Sequence, residues 1–186
     1  MYSPLRHWNC LAGGKRVGVV GIGGLGQMGI RLAKAMGNTV TAISTSPHKE
    51  QAAREIGADH FVISTNPESM KTAAKSLDLI LDTVSAFHDL TALIGLLARD
   101  GTCVVVGVVR TPHQINQMIF FRRVNLSGSL IGGMKDTQDC LDFCHKMKIE
   151  PATEMVTADQ IPEVYAKLES KNDQIIRYVL DINKSK

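Results

Sequence analysis

The sequence predicts an α/β protein: a six-stranded, doubly wound parallel sheet followed by a C-terminal αβ appendage. Three observations carry this expectation. Apolar, β-rich runs alternate with helical segments in βαβ order up to residue 132. Gly21, Gly23 and Gly26 form a G-x-G-x-x-G turn between the first strand and the first long helix. After Gly132-Gly133 the character changes, and the remaining tail is too short for an independent domain.

Taken in order, Tyr2, Leu5 and Trp8 recur at spacing three, which predicts a short amphipathic turn broken by Gly13-Gly14. Val17–Val20 is the first strand, apolar and β-branched apart from Gly18, as a strand buried on both faces should be. A helix over Leu25–Met36 presents Ile30, Leu32, Ala33 and Met36 on one side and stops at Gly37. The second strand is Thr39–Ile43, and a second helix, Pro47–Ile56, closes at Gly57. Phe61–Ile63 is the third strand, and Pro67–Lys75 a short helix. Leu77–Val84 is the fourth strand, Leu90–Ala98 an apolar helix stopped by Asp100-Gly101, and Thr102–Val109 the fifth strand. A loop with Pro112 and an apolar segment, Ile115–Phe121, lead to a sixth strand, Asn125–Leu130. Lys135–Lys146 reads as a helix, Glu154–Thr157 as a strand, and Thr157 or Asp159 as the cap of a helix ending near Leu168. Ile175–Ile182 is β-rich.

The glycine turn points to a dinucleotide. Gly21 permits the tight turn, Gly23 leaves room for a pyrophosphate against the backbone, and Gly26 lets the helix pack close to the strand. The helix N-terminus adds N–H donors and a partial positive charge. Sites for NAD place Asp or Glu at the end of the second strand to hold the ribose 2′-hydroxyl. Here that strand runs into Ser44, Thr45 and Ser46, with Lys49 beyond. Hydroxyls and an ammonium bind a 2′-phosphate that a carboxylate would repel, so the expected cofactor is NADP. Ser46, directly before Pro47, equally reads as a helix cap.

Composition excludes several classes. The chain has 186 residues, a net charge of +3 and scattered Lys and Arg, with no basic run for nucleic acid. No apolar run is long enough to span a bilayer, and no signal peptide is visible. Cys10, Cys103, Cys140 and Cys144 make no disulfide framework; reduced thiols and a cytoplasmic location are expected. Cys140 and Cys144 share a helix face while His145 points about 100° away, so they are expected to be packing thiols and not ligands. His88 and His113 sit in loops at strand ends, where each alone reads as a surface histidine. Tyr165-Ala166-Lys167 lacks the Tyr-x-x-x-Lys spacing of short-chain dehydrogenases.

YSPLRHW, GIGGLGQMGIRLAKAMG, STSPHK, IGAD, LDLILDTVSAFHDL, GSLIGGMKDTQDCLDFC and RYVLDI together resemble the zinc-type medium-chain alcohol dehydrogenases. The resemblance is to the cinnamyl alcohol dehydrogenase-like, NADP-dependent aldehyde reductase branch and covers essentially the whole chain. It implies a Rossmann domain at 16–132, a linker from a catalytic domain at 1–15, and the return segment of that domain at 133–186. It implies that Gly21, Gly23, Gly24, Leu25 and Gly26 hold the pyrophosphate, and Ser44, Thr45 and Lys49 the 2′-phosphate. Thr83 and Val84 would lie by the ribose, Gly107, Val108 and Val109 by the nicotinamide half, and Ser129, Leu130 and Ile131 at the nicotinamide end. Each of these last three groups also reads as strand-end packing.

In that family both zinc sites and the proton relay belong to an N-terminal catalytic domain that has no counterpart in this sequence. The expectation is therefore an NADP(H)-binding portion of an enzyme that reduces aldehydes to primary alcohols, with no catalytic residue or metal ligand of its own and inactive alone. A catalytically silent NADP-binding module or a gene remnant is the alternative. Apolar surface normally covered by the catalytic domain is expected at Tyr2, Leu5, Trp8, Leu141, Phe143, Ile175 and Val179. A homodimer through the sixth-strand edge is implied by the family.

Overall fold

In the computed structural model, which describes residues 1–169 and 177–184, contacts divide the chain into two units, Met1–Ile149 and Glu150–Lys186. The first holds six parallel strands: β1 (Arg16–Val20), β2 (Thr39–Ser44), β3 (His60–Ile63), β4 (Leu77–Asp82), β5 (Leu97–Val105) and β6 (Asn125–Gly128), in the order β3-β2-β1-β4-β5-β6. The chain winds outward from β1 through β2 to β3, then returns to lay β4 on the other side of β1. The order reverses between β1 and β4, and the crevice at the carboxyl ends of those strands is where such sheets take ligands.

Helices α1 (Tyr2–His7), α2 (Gly24–Ala35), α3 (Glu50–Glu55), α4 (Pro67–Thr72), α5 (Leu90–Gly95) and α6 (Met134–Met147) flank the sheet. The central strands are almost continuously buried: Val17, Val19, Val40, Ala42, Ile43, Leu79, Ile80, Leu81, Cys103 and Val104 are at most 1% exposed. That is the pattern of a sheet covered on both faces. Gly18 serves this packing, because a Cβ there would lie 2.7 Å from the Leu77 side chain.

Polar groups fix the amino ends of the strands. Buried Asn38 donates to the carbonyls of Cys10 and Ala33 at 2.9 and 3.0 Å and accepts from the Lys15 amide at 3.1 Å. Asp59 accepts from the Val40 amide at 2.8 Å and from Lys34 at 2.5 Å. Arg16 and Asp78 pair across β1 and β4 through both guanidinium and backbone donors.

Several boundaries differ from the sequence reading, for local reasons. Strand β4 ends at Asp82, not Val84: the Thr83 amide closes the ladder on the Val20 carbonyl, and the Thr83 hydroxyl donates to the same oxygen. Strand β5 runs over Leu97–Val105 instead of Thr102–Val109: the Val106 amide closes the ladder on the Asp82 carbonyl and the Gly107 amide doubles back to the same oxygen, while the strand starts early through a left-handed Asp100 (φ 65°). Helix α5 accordingly stops at Gly95, before Ala98. The second helix opens as a 3-10 turn, Pro47–Lys49, before α3. Ile115–Phe121 contains a 3-10 helix, Gln117–Phe121, and β6 stops at Gly128.

The expected exposure at the N-terminus is overturned. Leu5 is fully buried, Tyr2 is 9% exposed with its ring 5.9 Å from that of Phe143, and Trp8 is half-buried. Arg6 pins this turn to α6 through Asp136 and Asp139 at 2.7 and 2.8 Å. Residues 1–15 and α6 thus pack within the first unit. Leu141 and Val179 are exposed as expected, Phe143 is half-buried, and Ile175 lies outside the described residues.

The second unit contains β7 (Thr153–Val156), α7 (Ile161–Glu169) and β8 (Arg177–Leu180), with β7 and β8 parallel. Between β7 and α7, Thr157 and not Asp159 caps the 3-10 turn Ala158–Gln160, exchanging hydrogen bonds with Gln160 in a capping box.

Candidate functional site

The site is built at the switch point, starting from the glycine turn. Gly21 has a φ of +84°, and its amide donates to the Ile43 carbonyl at 2.9 Å, tying the turn to the end of β2. A Cβ at Gly26 would sit 1.9 Å from the Gly21 carbonyl oxygen, so α2 approaches the turn closer than any side chain allows. Gly23 is the N-cap of α2, with no side-chain cap and open space where a Cβ would be. Gly24 begins the helix, and Leu25, half-exposed, points from its first turn.

A cavity of about 440 Å³ opens beside this turn, within the usual size of a small-molecule site. Gly21, Ser44, Thr45 and Lys49 line one side; Val84, Phe87 and His88 line the other. The Ser44 hydroxyl accepts from the Ser46 amide at 3.1 Å, which leaves its own proton to donate. Ser46 stands at the cap position expected of it, yet its side chain makes no cap hydrogen bond. Ser64 and Thr65 extend the hydroxyl lining beyond the residues read from sequence.

The remaining candidates lie along the same carboxyl edge, in separate groups. Thr83 donates its hydroxyl to the Val20 carbonyl at 2.7 Å, and a Cβ at Gly107 would fall 2.3 Å from the Val84 carbonyl oxygen, so the exits of β4 and β5 are in close contact. Val108 is exposed and Val109 half-buried, and neither lines the 440 Å³ cavity. Ser129 and Leu130 line a second cavity of about 200 Å³ together with Tyr2, Ser3 and Asp136, whereas Ile131 is exposed.

One cluster was not foreseen. Asp82, fully buried at the end of β4, meets His88 and His113 from the two following loops. His88 Nε2 lies 2.9 Å from Asp82 Oδ2, and His88 Nδ1 lies 2.8 Å from the Ala86 carbonyl oxygen. Burial pushes the Asp82 carboxyl up from its ordinary value, offset by the Val84 amide and the two histidines. Sequence spacing hides this group, since only the adjacency of β4 and β5 brings the loops together.

Among the described residues, no thiol joins a group of side chains placed to hold a metal ion. Cys140 and Cys144 are half-buried on successive turns of α6, with His145 exposed. Burial, together with its Cys140 neighbour, raises the Cys144 thiol to about 11, which favours the uncharged form. The glycine turn and hydroxyl-lined cavity, by contrast, fit a dinucleotide: they provide the open backbone at Gly23, the donors at Ser44 and Thr45, and the positive charge at Lys49.

No helix among the described residues is long and apolar enough to cross a membrane. Residues 24–146 match the family model described as zinc-binding dehydrogenase. Aldehyde reductase YahK of Escherichia coli is 48% identical over 182 residues, covering 97% of this chain and 52% of that protein. A probable cinnamyl alcohol dehydrogenase of Populus deltoides is 41% identical over 188 residues, covering all of this chain and 52% of that protein. Among solved structures, a cinnamyl alcohol dehydrogenase of Sorghum bicolor superposes with a TM-score of 0.94 at 41% identity, covering 100% of this chain and 53% of that one. A Helicobacter pylori cinnamyl alcohol dehydrogenase complexed with NADP(H) gives a TM-score of 0.85 at 33% identity, covering 100% of this chain and 52% of that one. The chain thus spans about half the length of the relatives it matches. With its switch-point crevice, its glycine turn and a family match over most of its length, the chain belongs to the zinc-binding dehydrogenases.

Proposed function

We propose that this chain is the NADP(H)-binding half of an alcohol dehydrogenase or aldehyde reductase. The observation that carries this reading is the meeting of the glycine turn with Ser44, Thr45 and Lys49 in one cavity, where no Asp or Glu stands at the end of β2 and the lining carboxylate, Asp89, is engaged as the N-cap of α5. The complex of the Helicobacter pylori relative with NADP(H) supports it.

Gly21, Gly23, Gly24, Leu25 and Gly26 take the pyrophosphate through backbone donors. Ser44 and Thr45 donate to the 2′-phosphate, and Lys49 neutralises it. Thr83 and Val84 border the ribose. Gly107, Val108 and Val109 offer backbone groups to the nicotinamide half, and Ser129, Leu130 and Ile131 border the nicotinamide end. The bound cofactor supplies a hydride to an aldehyde, or accepts one from a primary alcohol, in the whole enzyme. The cysteine-and-histidine set of a catalytic zinc, a substrate pocket and a proton relay are not assembled among the described residues, so the 186-residue chain alone should bind NADP(H) and turn over negligible aldehyde. The domain assignment at 1–15, 16–132 and 133–186, a homodimer through the exposed edge of β6, and a cytoplasmic location belong to the same proposal.

Ser44→Asp tests the reading. A carboxylate at the end of β2 repels the 2′-phosphate and accepts from a ribose hydroxyl. NADPH should bind roughly a hundredfold more weakly, at a cost of about 3 kcal/mol, and NADH should bind more tightly. Unchanged preference in a folded variant would contradict the assignment.

A further inference from the structure

We propose that Asp82, His88 and His113 form a divalent-metal site of the zinc type at the carboxyl ends of β4 and β5. The three donors come from three separate stretches of chain, and one ligand atom from each lies within 4.8 Å of the others. Donors about 2.0–2.1 Å from a tetrahedral ion stand roughly 3.3 Å apart, so modest movement of the His113 loop completes the set.

Each donor is prepared for this role. Asp82 is fully buried, and its Oδ1 accepts from the Val84 amide at 3.1 Å, which holds the carboxylate with Oδ2 facing the cluster. His88 Nδ1, 2.8 Å from the Ala86 carbonyl oxygen, donates to it; that bond turns Nε2 toward Asp82 Oδ2. A ligating histidine held by a backbone carbonyl through its other nitrogen is the usual outer arrangement of a metal site.

His113 supplies an independent observation. Both its ring nitrogens are buried and have no hydrogen-bond partner. Its ring stands edge-on to His88, with centroids 4.9 Å apart, and is backed by Phe87 at 6.1 Å. A desolvated imidazole without a partner is costly. An ion in the cluster would satisfy it while neutralising the buried carboxylate. Two imidazoles and one carboxylate suit zinc, cobalt, nickel or ferrous ions better than magnesium or calcium, which prefer all-oxygen shells. Three protein ligands leave a fourth position for water or another small ligand. Because His88 also lines the 440 Å³ cavity, the ion would stand beside that cavity's wall.

The test uses the chelator-stripped 186-residue chain, titrated with cobalt(II) by absorbance and with zinc by competition against a chromophoric chelator. The expected result is one equivalent bound, with visible d–d bands and no thiolate-to-cobalt charge transfer. His113→Ala and His88→Asn should each weaken binding roughly tenfold or more, and the double variant Cys140→Ser/Cys144→Ser should leave it unchanged. X-ray absorption on the zinc-loaded unmodified chain should find only nitrogen and oxygen neighbours, and it decides the matter if a histidine variant fails to fold. Absence of binding at micromolar metal, sulfur in the first shell, or a folded His113→Ala that binds as tightly as the parent would overturn the proposal.

Discussion

The two sides of the switch-point crevice are built differently. On the β1–β2 side the residues assigned to the cofactor lie in one continuous stretch, from Gly21 to Lys49, with Ser64 and Thr65 adding to its hydroxyl lining, and each role in that stretch follows from its neighbours in sequence. On the β4–β5 side the important residues are Asp82 at the end of β4 and His88, Gly107 and His113 in two loops that meet only because β4 and β5 are paired. The first side is a motif and the second is a product of topology. They should also respond differently to substitution: the first through backbone geometry and charge toward a ligand, the second through the satisfaction of buried polar atoms.

The largest effect is expected at Gly26. An alanine methyl has only 1.9 Å to the Gly21 carbonyl oxygen, so α2 must move away from the turn. Gly26→Ala should cost about 3 kcal/mol in urea unfolding and lose NADPH binding. Gly23→Ala, with open space around it, should retain stability while binding falls. Equal loss of stability in both variants would break the claim that the first side works through backbone approach.

Next comes the opposite edge of the same half. The Cys10 thiol is pushed by burial to about 11, from an ordinary 9.0. The unfolded chain ionises it above pH 9.0, and the folded chain does not until about 11. Its stabilising contribution is therefore complete below pH 9.0 and declines as pH rises toward 11, by about 1.4 kcal/mol per pH unit. Cys10→Ala should flatten that part of the stability profile relative to the parent chain.

Smaller still is Lys49→Ala, which should weaken NADPH roughly tenfold, about 1.4 kcal/mol, and leave NADH within twofold. His113→Ala should leave the NADPH/NADH ratio unchanged, which sharpens the separation of the two sides. The smallest effect belongs to Asp78→Asn. Arg16 beside it holds the Asp78 carboxyl below its ordinary value, so this pair contributes above the unfolded carboxylate range and is lost as pH falls. Both side chains are partly exposed, and the loss should be under about 1 kcal/mol.

The legibility of the sequence follows the same division. The strand–turn–helix unit at Val17–Met36 could be read directly, because glycine spacing and apolar periodicity are local. The bounds of strand β5 are not legible in the sequence because its ends are set by non-local bonds: the Gly107 amide doubles back to the Asp82 carbonyl on which Val106 closes the ladder, and Asp100, its amide on the Arg123 carbonyl, bends the early part of the strand. Tyr2 and Leu5 look like aromatic and apolar residues awaiting a partner. The partner, Phe143 with the rest of α6, lies more than a hundred residues away. His88 and His113 each resemble a surface histidine until the sheet order places them with Asp82.

The most direct measurement is a pair of calorimetric titrations of the purified chain, with NADPH and with NADH. NADPH should bind at least about a hundredfold tighter, because Ser44, Thr45 and Lys49 meet the 2′-phosphate. Equal affinities, or tighter binding of NADH, would contradict the assignment of that side of the crevice.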